Sequence, residues 1–372
     1  YLKDAVRLLK QTPGAERETL IAIVDLGVAQ RFSGDLRAAR ETLVEGARLA
    51  EQFGLQRSME YAQLLLARAR VEFEEAHLPE TKADLDRSLQ LFMDVAGANS
   101  VEVAGVLSEK SLTLLWTDEY SEAERLLRQA LAIYEAKVSP TRPDRIDAEI
   151  NLSDLLYLEN RLDEAASLLE SSLEKMRRLF GSNSGNAASI LDRLAVVRYS
   201  QGRFAEAETL SRQSLEICRT ACGAKRVVTA VTATTLARTL LALRKHGEAE
   251  ALLREALQIY NAHLPPDHQY VSTAEYFLGE VLLATNRPQE AEIILAASMN
   301  RWKRADAPPW RAMRSANALG EALYREGRIE EATKYLSESL RELSADPKAD
   351  REAKDKARAR AKRYLQTSVA AL

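Results

Sequence analysis

Two cysteines are the residues in this sequence whose chemistry is easiest to imagine. Cys218 and Cys222 lie four residues apart near the end of a helical pattern, where two thiols could share a zinc ion. A zinc site needs four ligands, and the nearest histidine in sequence, His246, is 24 residues away. The ligand set is therefore incomplete. We interpret both cysteines as structural or idle thiols, and we expect neither a bound metal nor a cofactor.

The histidines do not form a catalytic pattern. All four fall at predicted turns or helix ends, namely His77, His246, His263 and His268. None has a carboxylate or nucleophile at a spacing that would suggest a triad. The sequence contains no glycine-rich phosphate loop and no metalloprotease-type histidine pair on a helix. The sequence therefore predicts no catalytic residues and a chain that is not an enzyme.

One basic cluster stands out near the C-terminus. Residues 354–363 contain six cations and one acid. A nucleic-acid patch usually accompanies a basic domain or a reading motif, and the formal net charge of −3 gives no such bias. Cations late in a terminal helix also suit the helix dipole. We therefore expect a terminal helix that covers the last structural unit, and no nucleic-acid partner.

These residues must be positioned by a repeated element. Small residues recur every 42 positions, with a final step of 41, at Ala39, Thr81, Ala123, Ala165, Ala207, Ala249, Ala291 and Ala332. A second small residue follows each of these by seven positions, and a third precedes each by twelve. A fixed period of this size indicates a repeat architecture.

Each repeat is predicted to form two amphipathic helices, here called helix A and helix B. In the third repeat, Ala123, Leu127 and Ala130 fall at i, i+4 and i+7 on one helical face. The predicted turns between A and B carry residues that tolerate a left-handed backbone, namely Gly34, Asp118, Asn160, Gly202, Asn286 and Gly327. Ala76 and Arg244 depart from this pattern.

The repeat resembles the tetratricopeptide repeat family. Residues 120–131 (YSEAERLLRQAL), 247–257 (GEAEALLREAL) and 264–268 (LPPDH) are similar to the subclass of about 42 residues found in kinesin light chains and many bacterial proteins. The resemblance covers residues 16–344 and implies an all-α, right-handed α-α superhelix of about eight helix pairs plus a terminal capping helix. Three departures predict less regular packing: Arg68 and Lys110 replace large apolar residues, and Ser211 replaces a leucine.

The resemblance also implies a binding surface. In this family helix A lines the inner concave face, so residues three before, one after and four after its small residue should point inward. This stripe is largely apolar in the first repeats and mixed in charge in the later ones. The candidate partner-binding residues are Arg70, Leu112, Leu115, Asp154, Tyr157, Asp192, Tyr199, Arg238, Tyr276, Glu280, Arg314, Asn317, Glu321 and Tyr324.

The pattern predicts three segments along the chain. Residues 1–15 are the end of a truncated preceding helix and a linker, 16–344 are eight helix-turn-helix repeats, and 345–372 are a C-terminal capping helix. No run of about 18 apolar residues is present, so we expect no membrane span and a cytoplasmic location.

Two functions fit these observations. The first is a non-catalytic scaffold that binds a protein or peptide partner in its concave groove. The second is a regulatory or sensor region of a larger bacterial signalling protein, either a serine/threonine protein kinase or a transcription regulator. Its catalytic or DNA-binding part would then lie outside this sequence.

Overall fold

The computed structural model describes residues 1–75, 77–117, 119–305 and 307–370, and for Trp116 and residues 366–370 it describes only the backbone. Helices are the only regular secondary structure among these residues. The chain divides into two compact units, Tyr1–Leu179 and Phe180–Leu372, called here the N-terminal and C-terminal units.

The N-terminal unit contains nine helices within its described residues. They are α1 (Leu2–Leu9), α2 (Glu16–Phe32), α3 (Leu36–Gln52), α4 (Met59–Glu74), α5 (Leu78–Ala96), α6 (Val101–Trp116), α7 (Tyr120–Lys137), α8 (Pro143–Leu158) and α9 (Leu162–Phe180), whose last residue lies at the boundary.

The C-terminal unit contains nine more helices in the part that the structure describes. They are α10 (Gly185–Ser200), α11 (Phe204–Ile217), α12 (Val227–Ala242), α13 (His246–His263), α14 (Gln269–Ala284), α15 (Pro288–Arg304), α16 (Pro309–Arg325), α17 (Ile329–Ala345) and α18 (Arg351–Ala370). A short π-helical turn, Cys218–Gly223, extends α11. The pairs from α2/α3 to α16/α17 are the eight predicted repeats, and the predicted all-α repeat fold is confirmed.

The columns of small residues are the places where helices A and B cross. Ala39, Ala207 and Ala332 are fully buried, as is the rest of the first column to within 1% exposure. At Gly279 an added Cβ would lie 2.4 Å from the side chain of Leu295, so glycine is required for the close approach. In three repeats a helix B serine donates a 2.8 Å hydrogen bond to the helix A carbonyl 26 residues earlier, namely Ser88 to Ala62, Ser214 to Ala188 and Ser298 to Ser272.

The turns between A and B adopt the predicted left-handed backbone wherever the structure describes them. Gly34, Gly202 and Gly327 have positive φ, as do Asn160 and Asn286. Arg244 also has a φ of 60°, so the turn geometry persists although the residue type departs from the pattern. The positions of Ala76 and Asp118 lie outside the described residues.

Arg68 and Lys110, the two charged residues that replace large apolar residues in helix A, make different contacts. Arg68 donates two hydrogen bonds to the buried carboxylate of Asp84, at 2.5 and 2.6 Å, so an ion pair between helices A and B replaces the apolar contact. Lys110 pairs with the exposed carboxylate of Asp86. Beside Lys110 a groove of about 330 Å³ remains between α5, α6 and α7, and Leu107 is among its lining residues.

Candidate functional site

In the N-terminal unit, the candidate residues lie on the A helices α4, α6 and α8. All five are partly exposed, namely Arg70, Leu112, Leu115, Asp154 and Tyr157. The Arg70 guanidinium donates to the Glu109 carboxylate at 2.7 Å, from one A helix to the next. Arg31 and Glu74 form a second pair, between α2 and α4, at 2.5 Å. Charges on this face are therefore paired between neighbouring repeats.

In the C-terminal unit, the candidates lie on the A helices α10, α12, α14 and α16, and the surface that carries them is called here the C-terminal inner face. Helix α18 lies across this face and also packs against α17. The covering segment, residues 350–364, contacts every one of these four helices. The terminal helix therefore meets the predicted binding stripe along four repeats.

The last turns of the described part of α18 form a buried polar cluster with α14 and α16. The Arg360 guanidinium bonds to the Glu321 carboxylate at 2.5 Å, to the Glu280 carboxylate at 2.7 Å and to the Asn317 amide oxygen at 3.2 Å. The Tyr364 hydroxyl donates to Glu321 at 2.9 Å. None of these five residues is more than 9% exposed. Glu280 and Glu321, called here the acidic floor, therefore hold a buried arginine.

The beginning of α18 makes contacts of the opposite sign. The Glu352 carboxylate accepts from the Arg238 guanidinium at 2.6 Å and from the Tyr199 hydroxyl at 3.3 Å. Just before the helix, Asp350 lies 3.5 Å from Arg314. Acidic residues at the start of the segment thus face arginines, whereas its later basic residues face the acidic floor.

Lys356 links the two halves of this charge pattern. Its ammonium lies 3.1 Å from the Glu280 carboxylate and 3.0 Å from the Glu352 carboxylate, and donates to the Tyr276 hydroxyl at 3.4 Å. At the far end of the segment, the rings of Tyr364 and Tyr324 pack with their centroids 4.7 Å apart.

The neighbouring cations keep the carboxyl groups of Glu280 and Glu352 ionised at neutral pH. Burial alone would raise the pKa of Glu280, but the adjacent Arg360 and Lys356 outweigh it and hold that pKa at about 2. Burial opposes the charge of Glu352 too, yet Arg238 and Lys356 bring its pKa to about 2. By contrast, burial raises the pKa of Tyr276 to about 12, so its phenol stays neutral.

Asp192 differs from the other candidates of this unit. Its Oδ2 accepts a 3.3 Å hydrogen bond from Thr235 of the next A helix. The residue is half-buried, but its Oδ1 is fully buried and has no hydrogen-bond partner among the described residues. Burial therefore raises the pKa of Asp192 to about 6, against the smaller opposing effects of Thr235 and Arg193.

The sequence predicts a capping helix over residues 345–372 but does not predict the contacts that Glu352, Lys356, Arg360 and Tyr364 of α18 make with the C-terminal inner face. The signal was present: Glu352, Lys356, Arg360 and Tyr364 are spaced by four, and small alanines follow the first three of them. This spacing places them along one side of a helix. What the sequence lacked was the direction that the chain takes after α17.

The two cysteines lie in the π-helical turn that extends α11, and not on the A helices that carry the candidate residues. Cys218 is buried, with its Sγ 3.8 Å from the Thr232 hydroxyl, and burial raises its pKa to about 11. Within the described part of the chain, no group of three or more His, Cys, Asp or Glu side chains is arranged to hold a metal ion. None of the described helices is long and apolar enough to span a bilayer.

Comparison with known proteins decides the family. A tetratricopeptide repeat profile matches residues 102–178, 144–219, 186–262 and 270–341, and a second such profile matches residues 234–299. The chain belongs to the tetratricopeptide repeat family. The family suggested by the sequence is thereby confirmed, and the matched segments span more than half of the chain. No curated protein matches the chain in sequence.

Two solved structures with low sequence identity show the same fold. One is BtubC (BKLC) from P. vanneervenii, with 20% identity and a TM-score of 0.51, covering 62% of this chain and 94% of that chain. Another is the Cut9-Hcn1 hetero-tetramer of the APC/C, with 15% identity and a TM-score of 0.61, covering 96% of this chain and 59% of that chain. The chain is also similar to TPR-like repeats of a kinesin light chain from Podosopora anserina, with 21% identity and a TM-score of 0.45, over 53% of this chain and 93% of that chain.

Proposed function

We propose that this tetratricopeptide repeat protein is a non-catalytic scaffold that binds a segment of a protein partner along the inner faces of its A helices. One observation carries the proposal: the C-terminal inner face already holds a helix. Of its nine candidate residues, eight contact residues 350–364, and they are Tyr199, Arg238, Tyr276, Glu280, Arg314, Asn317, Glu321 and Tyr324. Asp192 is the ninth.

The chemistry of this face suits binding. Solenoids of this kind present extended surfaces made from equivalent positions of successive repeats. Here those positions supply carboxylates, guanidiniums and phenols; Glu280 remains charged at neutral pH and Tyr276 remains neutral. Such groups select a partner by complementary charge and by hydrogen bonds. The partly exposed Leu112, Leu115 and Tyr157 of the N-terminal unit would add apolar contacts.

A photo-crosslinking experiment tests the location. A benzophenone amino acid would replace Leu112 or Leu241, which are partly exposed residues on helix A, and in a matched control it would replace Arg254, an exposed residue on helix B. The crosslinked peptides from a lysate would be sequenced by mass spectrometry. We expect the helix A positions to capture a recurrent partner peptide that the control position does not capture. Equal capture from Arg254 would move the binding surface to the helix B side.

A further inference from the structure

We propose that the C-terminal inner face is a receptor for a cationic helix of another protein, and that α18 occupies it as an intramolecular competitor. This inference rests on the proposed function and specifies the partner. The partner helix would present a lysine and an arginine four residues apart toward the acidic floor, with an aromatic residue four positions further on.

The acidic floor requires a cation from whatever covers it. Glu280 and Glu321 are 9% and 7% exposed, and the guanidinium of Arg360 bonds to both carboxylates. Glu321 also pairs with Arg325 of its own helix, whereas both cations that bond to Glu280, Lys356 and Arg360, belong to α18. Covering these carboxylates with an apolar or acidic segment would bury the charge of Glu280 without compensation, which is strongly destabilising. A partner that replaces α18 must therefore bring its own positive charges to the same place.

The side of α18 that meets the face defines the required pattern. Glu352, Lys356, Arg360 and Tyr364 supply the polar contacts at intervals of four residues. The residue after each of the first three is an alanine, and Ala353, Ala357 and Ala361 are buried. Ala353 and Ala357 cluster with Leu343 of α17, so small side chains there let α18 pack closely against the last repeat while its polar side chains reach the inner face. A competing segment therefore needs small residues at these positions and a helical conformation.

Helix α18 is held in a way that permits displacement. Among the side chains of α18 that the structure describes, the buried apolar ones are three alanines and Tyr364, whereas α17 buries Leu336 and Leu343 as well as an alanine. A buried alanine methyl removes little apolar surface from water, so docking of α18 depends strongly on its ion pairs. A gap of about 460 Å³ also remains beside α18, and Leu241, Phe277 and Leu283 are among its lining residues. A partner with larger apolar side chains would fill that gap and bind more tightly than α18.

The test uses the full chain and a fluorescein-labelled peptide of residues 349–365. In one variant, Lys356→Glu and Arg360→Glu would repel α18 from the acidic floor. In the matched control, Arg358→Glu and Lys362→Glu would make the same charge change on exposed positions of the same helix. Fluorescence anisotropy should show the peptide binding the first variant at least tenfold more tightly than the wild-type chain, and the control no more tightly than wild type.

Further controls separate the outcomes. A peptide that itself carries Lys356→Glu and Arg360→Glu should bind at least tenfold more weakly, and 0.5 M salt should weaken binding of the original peptide. If both peptides bind the first variant equally, the requirement for cations is wrong even where crosslinking has located a partner on helix A. If α18 is exchanged between two copies, light scattering will report a dimer of the wild-type chain and the assignment to a foreign partner is overturned.

A second form of the protein covers the case in which the reversed variant does not fold. A protease site inserted after Pro347 allows the folded full chain to be cut between α17 and α18. The labelled peptide should exchange onto the cut chain at 0.5 M salt and remain bound after return to low salt. Failure to exchange would show that α18 is a permanent part of the fold, which contradicts the proposal.

Discussion

Arg70 and Glu280 occupy the same position in their repeats, one residue after the small residue of helix A, but they lie in different units. The Arg70 side chain is 35% exposed and bonds to Glu109 of the next A helix. The Glu280 side chain is 8% exposed and bonds to Lys356 and Arg360 of a helix that begins 71 residues later in the chain. In the N-terminal unit the charge of Arg70 is neutralised by a neighbouring repeat, and in the C-terminal unit the charge of Glu280 is neutralised by the covering helix.

The difference shows how one scaffold supports two kinds of surface. The repeat register determines that both side chains lie on the inner face, because both follow the residue at which helices A and B cross. The repeat register does not determine which residue forms an ion pair with each of these side chains. Arg31 and Glu74 pair in the N-terminal unit because adjacent A helices bring them together. In the acidic floor, Glu321 pairs with Arg325 of its own helix as well as with Arg360 of α18, whereas Glu280 is paired with cations of α18.

The largest expected effect comes from removing the guanidinium of Arg360, which α18 places over the acidic floor. Arg360→Met keeps much of the side-chain volume but leaves Glu280 with Lys356 alone and Glu321 with Arg325 alone, so we expect a loss of about 3 kcal/mol in the free energy of unfolding, the lower end for breaking a buried ion pair. Arg70→Met removes a partly exposed pair and should cost no more than about 1 kcal/mol. Urea denaturation of both full-length variants measures this. Similar losses would remove the distinction between the two faces.

The next prediction tests whether the two units share the packing beneath their faces. Gly279→Ala and Gly27→Ala would place a Cβ 2.4 Å and 2.7 Å from leucine side chains, and each should cost about 1–3 kcal/mol through overpacking. Gly105→Ala is the matched control, because its nearest neighbour would be 3.6 Å away. The control should gain about 0.5–1 kcal/mol from helix propensity. Thermal melts that rank the three otherwise would show that the repeats are packed differently.

Each unit also contains a carboxylate that burial makes harder to ionise. The pKa is raised to about 6 for Asp192 and, by burial and nearby Asp84 against the opposing Arg68, to about 7 for Glu72. An acid with a raised pKa destabilises the folded state once it ionises. The penalty is absent below the unfolded pKa of about 4, grows as the pH rises through about 6 or 7, and is then constant.

Neutral replacements should therefore stabilise the protein only at the higher pH. Asp192→Asn and Glu72→Gln should each raise the free energy of unfolding by about 1–2 kcal/mol at pH 8, with little change at pH 4. Glu280→Gln is the contrasting variant, because its pKa is lowered and its charge stabilises the fold at pH 8. Unfolding curves at the two pH values distinguish the cases, and stabilisation by Glu280→Gln would contradict the role of the acidic floor.

The smallest expected effect concerns the two charged departures in the N-terminal unit. Lys110→Leu should fill the groove between α5, α6 and α7 and gain about 0.5–1 kcal/mol, since cavity filling commonly stabilises a fold. Arg68→Leu should instead be destabilising, because it leaves the buried Asp84 unpaired. Chemical denaturation measures both. If Lys110→Leu destabilises the chain, its ion pair with Asp86 contributes more than an exposed pair usually does.

The sequence predicted the parts of this molecule that depend on local spacing. The small-residue columns at Ala39 and Gly279 identify helix crossings because they recur with the helical period, and the left-handed turn at Asn160 follows from its place between A and B. The left-handed turn at Arg244 is harder to predict, because packing of the two helices imposes a backbone conformation that arginine does not favour.

The covering of the C-terminal inner face could not be predicted in the same way. Glu280 and Arg360 are 80 residues apart, and their contact depends on the direction of the chain after Ala345 rather than on any repeated interval. The spacing of four between Lys356 and Arg360 indicated a helical face, but an exposed basic face and a buried one have the same spacing. The identity of the candidate residues came from the repeat, whereas their contacts came only from the structure.

The reach of α18 has a consequence for how the protein unfolds. A chain of repeats normally behaves as a one-dimensional system, in which each repeat is coupled only to its neighbours and the ends can unfold first. Contacts from α18 to Tyr199, Arg238, Glu280 and Glu321 join four repeats directly. This long-range coupling makes the C-terminal unit a single cooperative block, whose backbone amides should share one slow hydrogen-exchange rate. Release of α18 would restore the graded exchange expected of an ordinary solenoid.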